Sequence, residues 1–463
     1  MFSTKMLLNL FLLLQSAIST APSPSPWPNC SSSGNSGGGG GGGGGGYSVS
    51  VLQRDPLPDD RSLVSHANGS SDFQFNFASA WFPLPEGGGG GGGGGKGKGK
   101  GKGNSTDGLV VRVVECNPDH HSCANRTTHP EWTNAGALTV VEAAFPGDAA
   151  DASGGAPPLS VAHISLADVT FAGATPPPHS AAPQWGAADP RIAYRPATRT
   201  YYLTWDNCTQ NCYPHRTTLL STTADPRDPE GWTLHGPILP GVYTGGASLL
   251  FRDPSADDAA ASAPAPTAAG AAGAAGAAGV TGAAGATGAA GAAPAPHLAF
   301  VGNSNTAAAI LLAESADGLV WAPPANASRR VFMKGRPGCW DAPGVAAGPQ
   351  PERLSSGDYL YVYNVDTGFP YHPNPVGRCA IGWAILDGSD PSRIVARSDE
   401  PLLTATLPWE TCAAVGKGYE CQEPEVVFST GMKPLGNDEF FVFFGAADTD
   451  VGVARIKVQV PSA

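Results

Sequence analysis

Short segments of β-branched and aromatic residues, separated by Gly, Pro and Asp, follow one another from Phe73 to the end of this chain. Tyr201–Trp205, Tyr359–Tyr363 and Phe440–Phe444 are clear examples. Runs of this length and composition, bounded by turn residues, are typical of β-strands. No stretch shows a convincing helical spacing of apolar residues, so the sequence predicts an all-β chain.

The strand segments also recur as units. Thr217–Trp232, Ala308–Trp321 and Ala380–Ile394 each combine a strand with a turn built from small polar residues and Asp. Units that repeat about every 45–70 residues are typical of propeller blades. Five units, at 73–145, 155–232, 240–325, 335–395 and 420–460, predict a five-bladed β-propeller. A β-sandwich is the alternative, but it does not explain the repetition.

Three low-complexity tracts interrupt this pattern. Residues 34–46 are almost entirely Gly and Ser, residues 87–103 are poly-Gly followed by alternating Lys and Gly, and residues 254–296 are mostly Ala, Gly and Pro. Such tracts bury too little apolar surface to offset the entropy lost on ordering. We therefore expect a disordered segment at 22–72 and a propeller at 73–463 with disordered inserts at 87–103 and 254–296.

The N-terminus has the pattern of a secretory signal peptide, which we place at residues 1–21. Lys5 precedes the apolar run Met6–Leu14, and small residues follow it. This run is too short to span a bilayer, although a retained membrane anchor is the alternative. We expect a secreted glycoprotein with no membrane span after the signal is removed. Six glycosylation sequons agree with export, at Asn29, Asn68, Asn104, Asn125, Asn207 and Asn326.

Closely spaced cysteines agree with the same compartment. Of nine cysteines, six form three local pairs that predict disulfides: Cys116 with Cys123, Cys208 with Cys212, and Cys412 with Cys421. Cys339 and Cys379 are a possible fourth pair, which leaves Cys30 over. Zinc is the rival interpretation, but only Cys208 and Cys212 have a usual zinc spacing, and we expect neither a metal nor a cofactor.

The charge of the chain limits its partners. There are 27 Lys and Arg against 39 Asp and Glu, a net charge of −12, and four of the lysines lie in the Gly tract. Nucleic acid is a poor partner for this balance. An uncharged substrate such as a carbohydrate meets no such objection.

Asp189 stands directly before Pro190, at the entrance to the strand segment Tyr201–Trp205. Proline restricts the backbone of the residue before it, so this carboxyl group is held on a stiff turn. Arg191 lies two residues further on and can project from the same face. A fixed carboxyl group near a cation suits acid catalysis, but an ordinary Asp-Pro turn has the same sequence.

Several motifs together resemble glycoside hydrolase family 130, whose members are five-bladed propellers that cleave β-mannosides with phosphate or with water. Ala188–Ile192 resembles the family's E-D-P-R-I, with Ala188 in place of Glu. The other matching segments, in chain order, are Phe75–Ala78, Arg336–Asp341, Gly348–Tyr363, Asp390–Ile394, Val426–Gly431 and Gly445–Thr449. Each motif is short, and their common order makes the resemblance specific.

The resemblance implies roles for individual residues. Asp189 takes the place of the general acid. The positions implied to contact the substrate are Asn76, Arg191, Arg216, Trp340, Asp341 and Asp448. A turn cap or a structural ion pair is the alternative role for Asp341, Asp448 and Arg191.

The chain departs from the phosphorylase pattern at its cationic residues. Arg216 matches one phosphate-binding arginine, but the other expected donors fall near Gly246, at Gly344 and at Asn364. Lys334 and Arg378 are possible replacements. The sequence therefore predicts an inverting hydrolase, which needs a base.

Glu423 is our first candidate for that base, with Glu425 and then Asp341 as alternatives. Two other functions stay open. One is a mannoside phosphorylase with a rearranged anion site, and the other is a non-catalytic propeller that binds glycans.

Overall fold

A computed structural model gives the fold of the chain. It describes residues 30, 46–54, 64–65, 74–84, 107–115, 137–143, 164–165, 170–171, 185–209, 216–228, 230–253, 295–303, 309–366, 379–411, 425–447 and 450–461. Outside these residues lie the predicted signal peptide, all of the predicted insert at 87–103 and most of that at 254–296. The cysteines of the three local pairs also lie outside them, except the backbone of Cys208.

The described residues form β-strands and one short 3-10 turn, Ala327–Arg329. The strands are β1 (Ser48–Arg54), β2 (Val64–Ser65), β3 (Gln74–Pro83), β4 (Asp107–Glu115), β5 (Ala137–Ala143), β6 (Ile164–Ser165), β7 (Thr170–Phe171), β8 (Trp185–Arg195), β9 (Thr200–Thr209), β10 (Thr217–Thr223), β11 (Thr233–Pro237), β12 (Thr244–Leu250), β13 (His297–Asn303), β14 (Ala309–Ser315), β15 (Val331–Lys334), β16 (Val345–Ala347), β17 (Glu352–Arg353), β18 (Tyr359–Asp366), β19 (Cys379–Leu386), β20 (Ile394–Arg397), β21 (Leu403–Thr404), β22 (Val427–Gly436), β23 (Glu439–Ala446) and β24 (Asp450–Gln459).

The strands assemble into antiparallel sheets of neighbours in the sequence. The orders are β3-β4-β5-β7, β11-β10-β9-β8, β12-β13-β14-β15, β16-β18-β19-β20 with β17 and β21 attached, and β1-β24-β23-β22. β2 and β6 form a separate parallel pair. Meanders of this kind are the building unit of a propeller.

The sheets pack side by side through their first strands. β3 contacts β8, β8 contacts β12, β12 contacts β16, and β22 contacts β3, β18 and β19. The apolar core consists of clusters that each join two successive sheets, for example Ile192 with Phe82 and Tyr361 with Phe300. The predicted all-β, propeller-like arrangement is confirmed, while the count of five blades stays a prediction.

The segment before residue 73 differs from the expectation of disorder. Ser48–Arg54 forms β1, which pairs antiparallel with β24 and adds an outer strand to the C-terminal sheet. Arg54 fixes this strand through a 2.6 Å ion pair with the fully buried carboxylate of Glu410. The sequence did not predict β1 because it is a short, mostly exposed edge strand beside a Gly-rich tract.

One cysteine prediction needs correction. Cys339 pairs with Cys30, whose Cα atom lies 4.5 Å from its own, rather than with Cys379, which is buried in β19. This separation falls within the range for a disulfide. Residues 309 positions apart meet here, so local spacing could not reveal the pair.

No helix in the described part of the chain is long and apolar enough to cross a membrane.

Candidate active site

Asp189 lies at a β-bulge in β8. Ala188 pairs with Asp206 on β9 and Arg191 pairs with Thr204, so two residues of β8 oppose one residue of β9. Asp189 has a φ of 47°, in the left-handed region that non-glycine residues seldom adopt. Bulges re-aim side chains and are frequent next to active sites. The bulge therefore takes the backbone of Asp189 out of the regular pairing with β9 and changes the direction of its side chain.

Two arginines from elsewhere in the chain approach this carboxylate. Arg216, the residue before β10, forms an ion pair with Oδ2 of Asp189. Nη1 of Arg112, on β4 of the neighbouring sheet, lies 3.5 Å from Oδ1. The side chain of Asp189 is 16 % exposed and that of Arg216 is 11 % exposed, so a ligand could reach the cluster at this ion pair.

Asp206, the residue of β9 that pairs with Ala188, is fully buried. Its Oδ2 lies 2.7 Å from Nε of Arg216, and its Oδ1 accepts hydrogen bonds from Thr218 Oγ1 at 2.7 Å and from the Gly246 amide at 2.8 Å. Burial raises the pKa of Asp206 to about 6, against the opposing effect of Arg191 and these hydrogen bonds. One guanidinium group, that of Arg216, thus joins the exposed and the buried carboxylate.

Arg191 supports the bulge from the interior. Its guanidinium donates to the backbone carbonyl oxygens of Gly348 at 2.7 Å, Ala347 at 2.5 Å and Asp189 at 2.9 Å. Burial lowers the pKa of Arg191 from its ordinary value. The side chain is 2 % exposed, so it positions Asp189 and ties β8 to β16 rather than offering a surface to a ligand.

A glycine makes room for this arginine. Gly246 has a φ of +76°, and a Cβ atom built there would lie 2.0 Å from Nη1 of Arg191. The family resemblance predicts a lost phosphate-binding arginine near this position. In the structure, the absence of a side chain at Gly246 is what allows the guanidinium of Arg191 to lie against β12.

The cluster therefore contains three arginines and two aspartates among the described residues: Arg112, Arg191, Arg216, Asp189 and Asp206. The structure brings together three residues that the sequence predicted, Asp189, Arg191 and Arg216, and adds two. Asp206 could have been found from strand periodicity, because Thr204 and Asp206 are two residues apart and place polar groups on one face of an otherwise apolar strand. No comparable pattern in the sequence marks Arg112 as a site residue.

Trp340 and Asp341 belong to a different cluster, and both side chains are fully buried. The ring of Trp340 stacks on Tyr363 in the core. The Asp341 carboxylate is 2.9 Å from Arg336 and 2.7 Å from Arg397, and it accepts a hydrogen bond from Tyr363. The structure gives both residues a role in packing and ion pairing, and their predicted contact with a substrate has no support in it.

Two of the positions predicted to have lost a phosphate donor are also buried. Asn364 uses its amide entirely within the fold: Nδ2 donates to the carbonyl oxygens of Ala347 and Ser429, and Oδ1 accepts from the Ser429 amide. Gly344 is buried and has no side chain, and Lys334, the possible replacement, is exposed on β15. Neither Asn364 nor Gly344 presents a cation to the cluster around Asp189.

Other predicted residues cannot be placed at this site. Glu423, Asp448 and Arg378 lie outside the described residues, and for Asn76 only the backbone, in β3, is described. Glu425 is described and exposed. Its backbone amide donates to Glu410, and its φ is 65°.

Comparison with known proteins identifies relatives that match part of the chain. Residues 296–460 match the sequence profile of glycoside hydrolase family 130, described as beta-1,4-mannooligosaccharide phosphorylase. A beta-1,2-mannobiose phosphorylase of Thermoanaerobacter sp. (strain X514) is 34 % identical over 120 residues, which is 26 % of this chain and 34 % of that protein. A 1,2-beta-oligomannan phosphorylase of the same organism is 32 % identical over 130 residues, 28 % of this chain and 38 % of that protein. The matched region thus spans little more than a third of these relatives.

Solved structures extend the similarity of the fold over most of the chain. A putative glycosidase from Bacteroides thetaiotaomicron has a TM-score of 0.53 and 13 % identity, covering 87 % of this chain and 96 % of its own. A second structure comes from work on the GH130 family of mannoside phosphorylases, described as containing glycoside hydrolases that target beta-1,2 mannosidic linkages in Candida mannan. It has a TM-score of 0.51 and 15 % identity, covering 88 % of this chain and 94 % of its own. At these identities the likeness shows the fold.

Proposed function

We propose that this chain hydrolyses β-mannosides with Asp189 as the proton donor, on the premise of its similarity to glycoside hydrolase family 130, whose profile matches residues 296–460. Cleavage breaks the bond between the anomeric carbon and the glycosidic oxygen. The leaving oxygen takes a proton from Asp189, and water adds to the anomeric carbon from the opposite face. The five sheets of four or more strands would be the five blades around this site.

The position of Asp189 is the observation that carries the proposal. Asp189 lies at the bulge, its partly exposed carboxylate is paired with Arg112 and Arg216, and its backbone carbonyl accepts a hydrogen bond from Arg191. An ordinary Asp-Pro turn requires none of these long-range contacts. Arg112 and Arg216 contact the oxygen atoms of Asp189 that would carry the proton. A bound sugar therefore has to displace at least one of these two arginines before Asp189 can transfer a proton.

The arginine content of the site supports hydrolysis over phosphorolysis. A phosphorylase needs several cationic donors converging on phosphate. Here Asn364 is committed to backbone groups, Gly344 and Gly246 have no side chains, and Arg216 already bridges two carboxylates. Glu423 remains our candidate for the base that activates water.

Secretion is also part of the proposal. It is supported by the signal-peptide pattern predicted at residues 1–21, by the sequons and by the cysteine spacing. Water is an available nucleophile outside the cell, whereas a sugar phosphate formed there would bring the cell little benefit.

The test is mannose release from β-mannobioses and β-mannan by the full chain, with and without inorganic phosphate. We expect release without phosphate, no sugar 1-phosphate when phosphate is added, and a loss of about 10²- to 10⁴-fold in Asp189→Asn. A matched control exists because Asp225-Pro226-Arg227 repeats the same tripeptide on a surface turn. Asp225→Asn should keep full activity.

Three outcomes would contradict the proposal in different ways. Retained activity in Asp189→Asn refutes the assigned proton donor. Sugar 1-phosphate as the main product in phosphate buffer shows a phosphorylase. Glycan binding on an array without release of any sugar supports the non-catalytic alternative.

A further inference from the structure

Arg216 has an acidic partner on its buried side. Its Nε lies 2.7 Å from Oδ2 of Asp206, while another nitrogen of the same guanidinium pairs with Asp189 on the exposed side. Both carboxylates are therefore ligands of one cation. A phosphate ion that used Arg216 would have to compete with them for the same N–H groups.

The carboxylate of Asp206 is fixed rather than mobile. Thr218 on β10 and the amide of Gly246 on β12 both donate to Oδ1, and the Gly246 amide also lies 3.0 Å from Thr218 Oγ1. Asp206 itself is on β9, so three strands from two sheets set its position. A buried carboxylate whose Oδ1 accepts two hydrogen bonds and whose Oδ2 lies beside a guanidinium group is held in place and does not swing away to make room for a ligand.

The charge balance of the cluster depends on this residue. Three arginines and two aspartates, all described residues, carry one net positive charge when both carboxylates are charged. Without the negative charge of Asp206 the same groups carry two net positive charges. The raised pKa of Asp206, about 6, still leaves it ionised at neutral pH, where Arg191, Arg112 and Arg216 are its cationic neighbours.

We propose that Asp206 is a built-in anion that occupies the guanidinium of Arg216 and so prevents inorganic phosphate or a similar oxyanion from binding at the site. This role rests on the proposed function, in which water attacks the anomeric carbon and gives free mannose. With phosphate as the nucleophile, the same bond would break and mannose 1-phosphate would form. Asp206 is thus a positioning residue that determines which nucleophile the site accepts.

The experiment measures phosphate binding directly, by calorimetry and by ³¹P line broadening, so that it needs no substrate. The full-length wild-type chain should show no Arg216-dependent phosphate binding. Asp206→Asn, which keeps the size of the side chain, should bind phosphate about ten- to a hundredfold more tightly than any residual, Arg216-independent binding of phosphate by the wild type. Adding Arg216→Gln to Asp206→Asn should remove the gain.

Asp225→Asn is the matched control, because it changes the charge of the whole chain by the same amount on a surface turn. A gain of phosphate binding in this control, or a gain in Asp206→Asn that survives Arg216→Gln, overturns the proposal. Phosphate binding by the wild type that Arg216→Gln removes also overturns it, and this measurement stands even where Asp206→Asn does not fold.

The result is separable from that of the proposed function. A wild-type chain that releases no mannose refutes hydrolysis, while the phosphate titrations still decide whether Asp206 blocks the anion site. Conversely, a hydrolase whose Asp206→Asn variant ignores phosphate leaves the function standing and refutes this inference.

Discussion

Replacing Gly246 by Ala tests whether the packing of Arg191 against β12 supports the site. A Cβ atom at this position would lie 2.0 Å from Nη1, 2.3 Å from Cζ and 2.6 Å from Nη2 of Arg191. Real Cβ atoms do not approach other atoms so closely, so the guanidinium has to move. That movement breaks its hydrogen bonds to the carbonyl groups of Gly348, Ala347 and Asp189.

The expected loss has two parts. A non-glycine residue at a φ of +76° costs about 1–2 kcal/mol through backbone strain alone. Displacing a buried charged group from its partners costs about 3–5 kcal/mol more. We therefore expect Gly246→Ala to lower the free energy of unfolding by about 4–7 kcal/mol, or to prevent folding.

A substitution at Gly241 separates the backbone strain from the displacement of Arg191. It has a φ of +78°, and nothing lies within 4 Å of a Cβ atom placed there. Gly241→Ala should therefore show the strain alone, a loss of about 1–2 kcal/mol. Urea denaturation of both variants beside the wild type gives the difference. If Gly246→Ala and Gly241→Ala lose the same stability within about 0.5 kcal/mol, the steric reasoning is refuted.

Three further predictions concern contacts between sheets and buried acids. Asn364→Ala removes an amide that donates to two backbone carbonyl groups at 3.0 and 2.9 Å on β16 and β22, and we expect urea denaturation to show a loss of about 2–4 kcal/mol. Lys433→Met leaves the buried carboxylate of Asp107 without a cation 2.6 Å away, at a cost of about 3–5 kcal/mol, and Asp107→Leu in the same chain should recover part of it. Burial raises the pKa of Glu352 to about 7 from 4.5, so the folded chain binds more protons than the unfolded chain and this group's contribution to stability falls as pH rises between about 4.5 and 7. Glu352→Gln should remove that fall in a plot of Tm against pH.

Each of these has a result that would contradict it. A loss below about 1 kcal/mol in Asn364→Ala would show that its hydrogen bonds are replaced by water. Lys457→Met is the control for Lys433→Met, because Lys457 pairs with Glu439 at 3.0 Å on the surface and its loss should cost less than about 1 kcal/mol. An unchanged pH profile in Glu352→Gln would mean that Glu352 does not titrate in this window.

The strands and their grouping could be predicted because they depend on local properties. Alternation, β-branched and aromatic content, and turn residues act over a few positions, and they define Tyr201–Trp205 and Phe440–Phe444 as strands. β1 was missed since an exposed edge strand has little apolar pattern of its own, and its place depends on β24, some 400 residues later in the chain.

The two Asp-Pro-Arg tripeptides show where local information ends. In Asp225-Pro226-Arg227 the arginine turns back on its own aspartate at 2.7 Å. In Asp189-Pro190-Arg191 the arginine reaches the carbonyl groups of the next sheet, and the aspartate meets Arg112 and Arg216 from other strands. The sequence could single out Asp189 only through the motifs around it.

By itself, then, the sequence determined an all-β chain of repeated strand units and a resemblance to glycoside hydrolase family 130, and it singled out Asp189 as the candidate acid. The tertiary structure decided that Asp206 and Arg112 join that acid, that Trp340 and Asp341 are buried away from solvent, and that Cys339 meets Cys30. The physical reason is common to all three: burial and ion pairing arise where sheets distant in sequence pack together, and no local pattern of residues records which sheets those are.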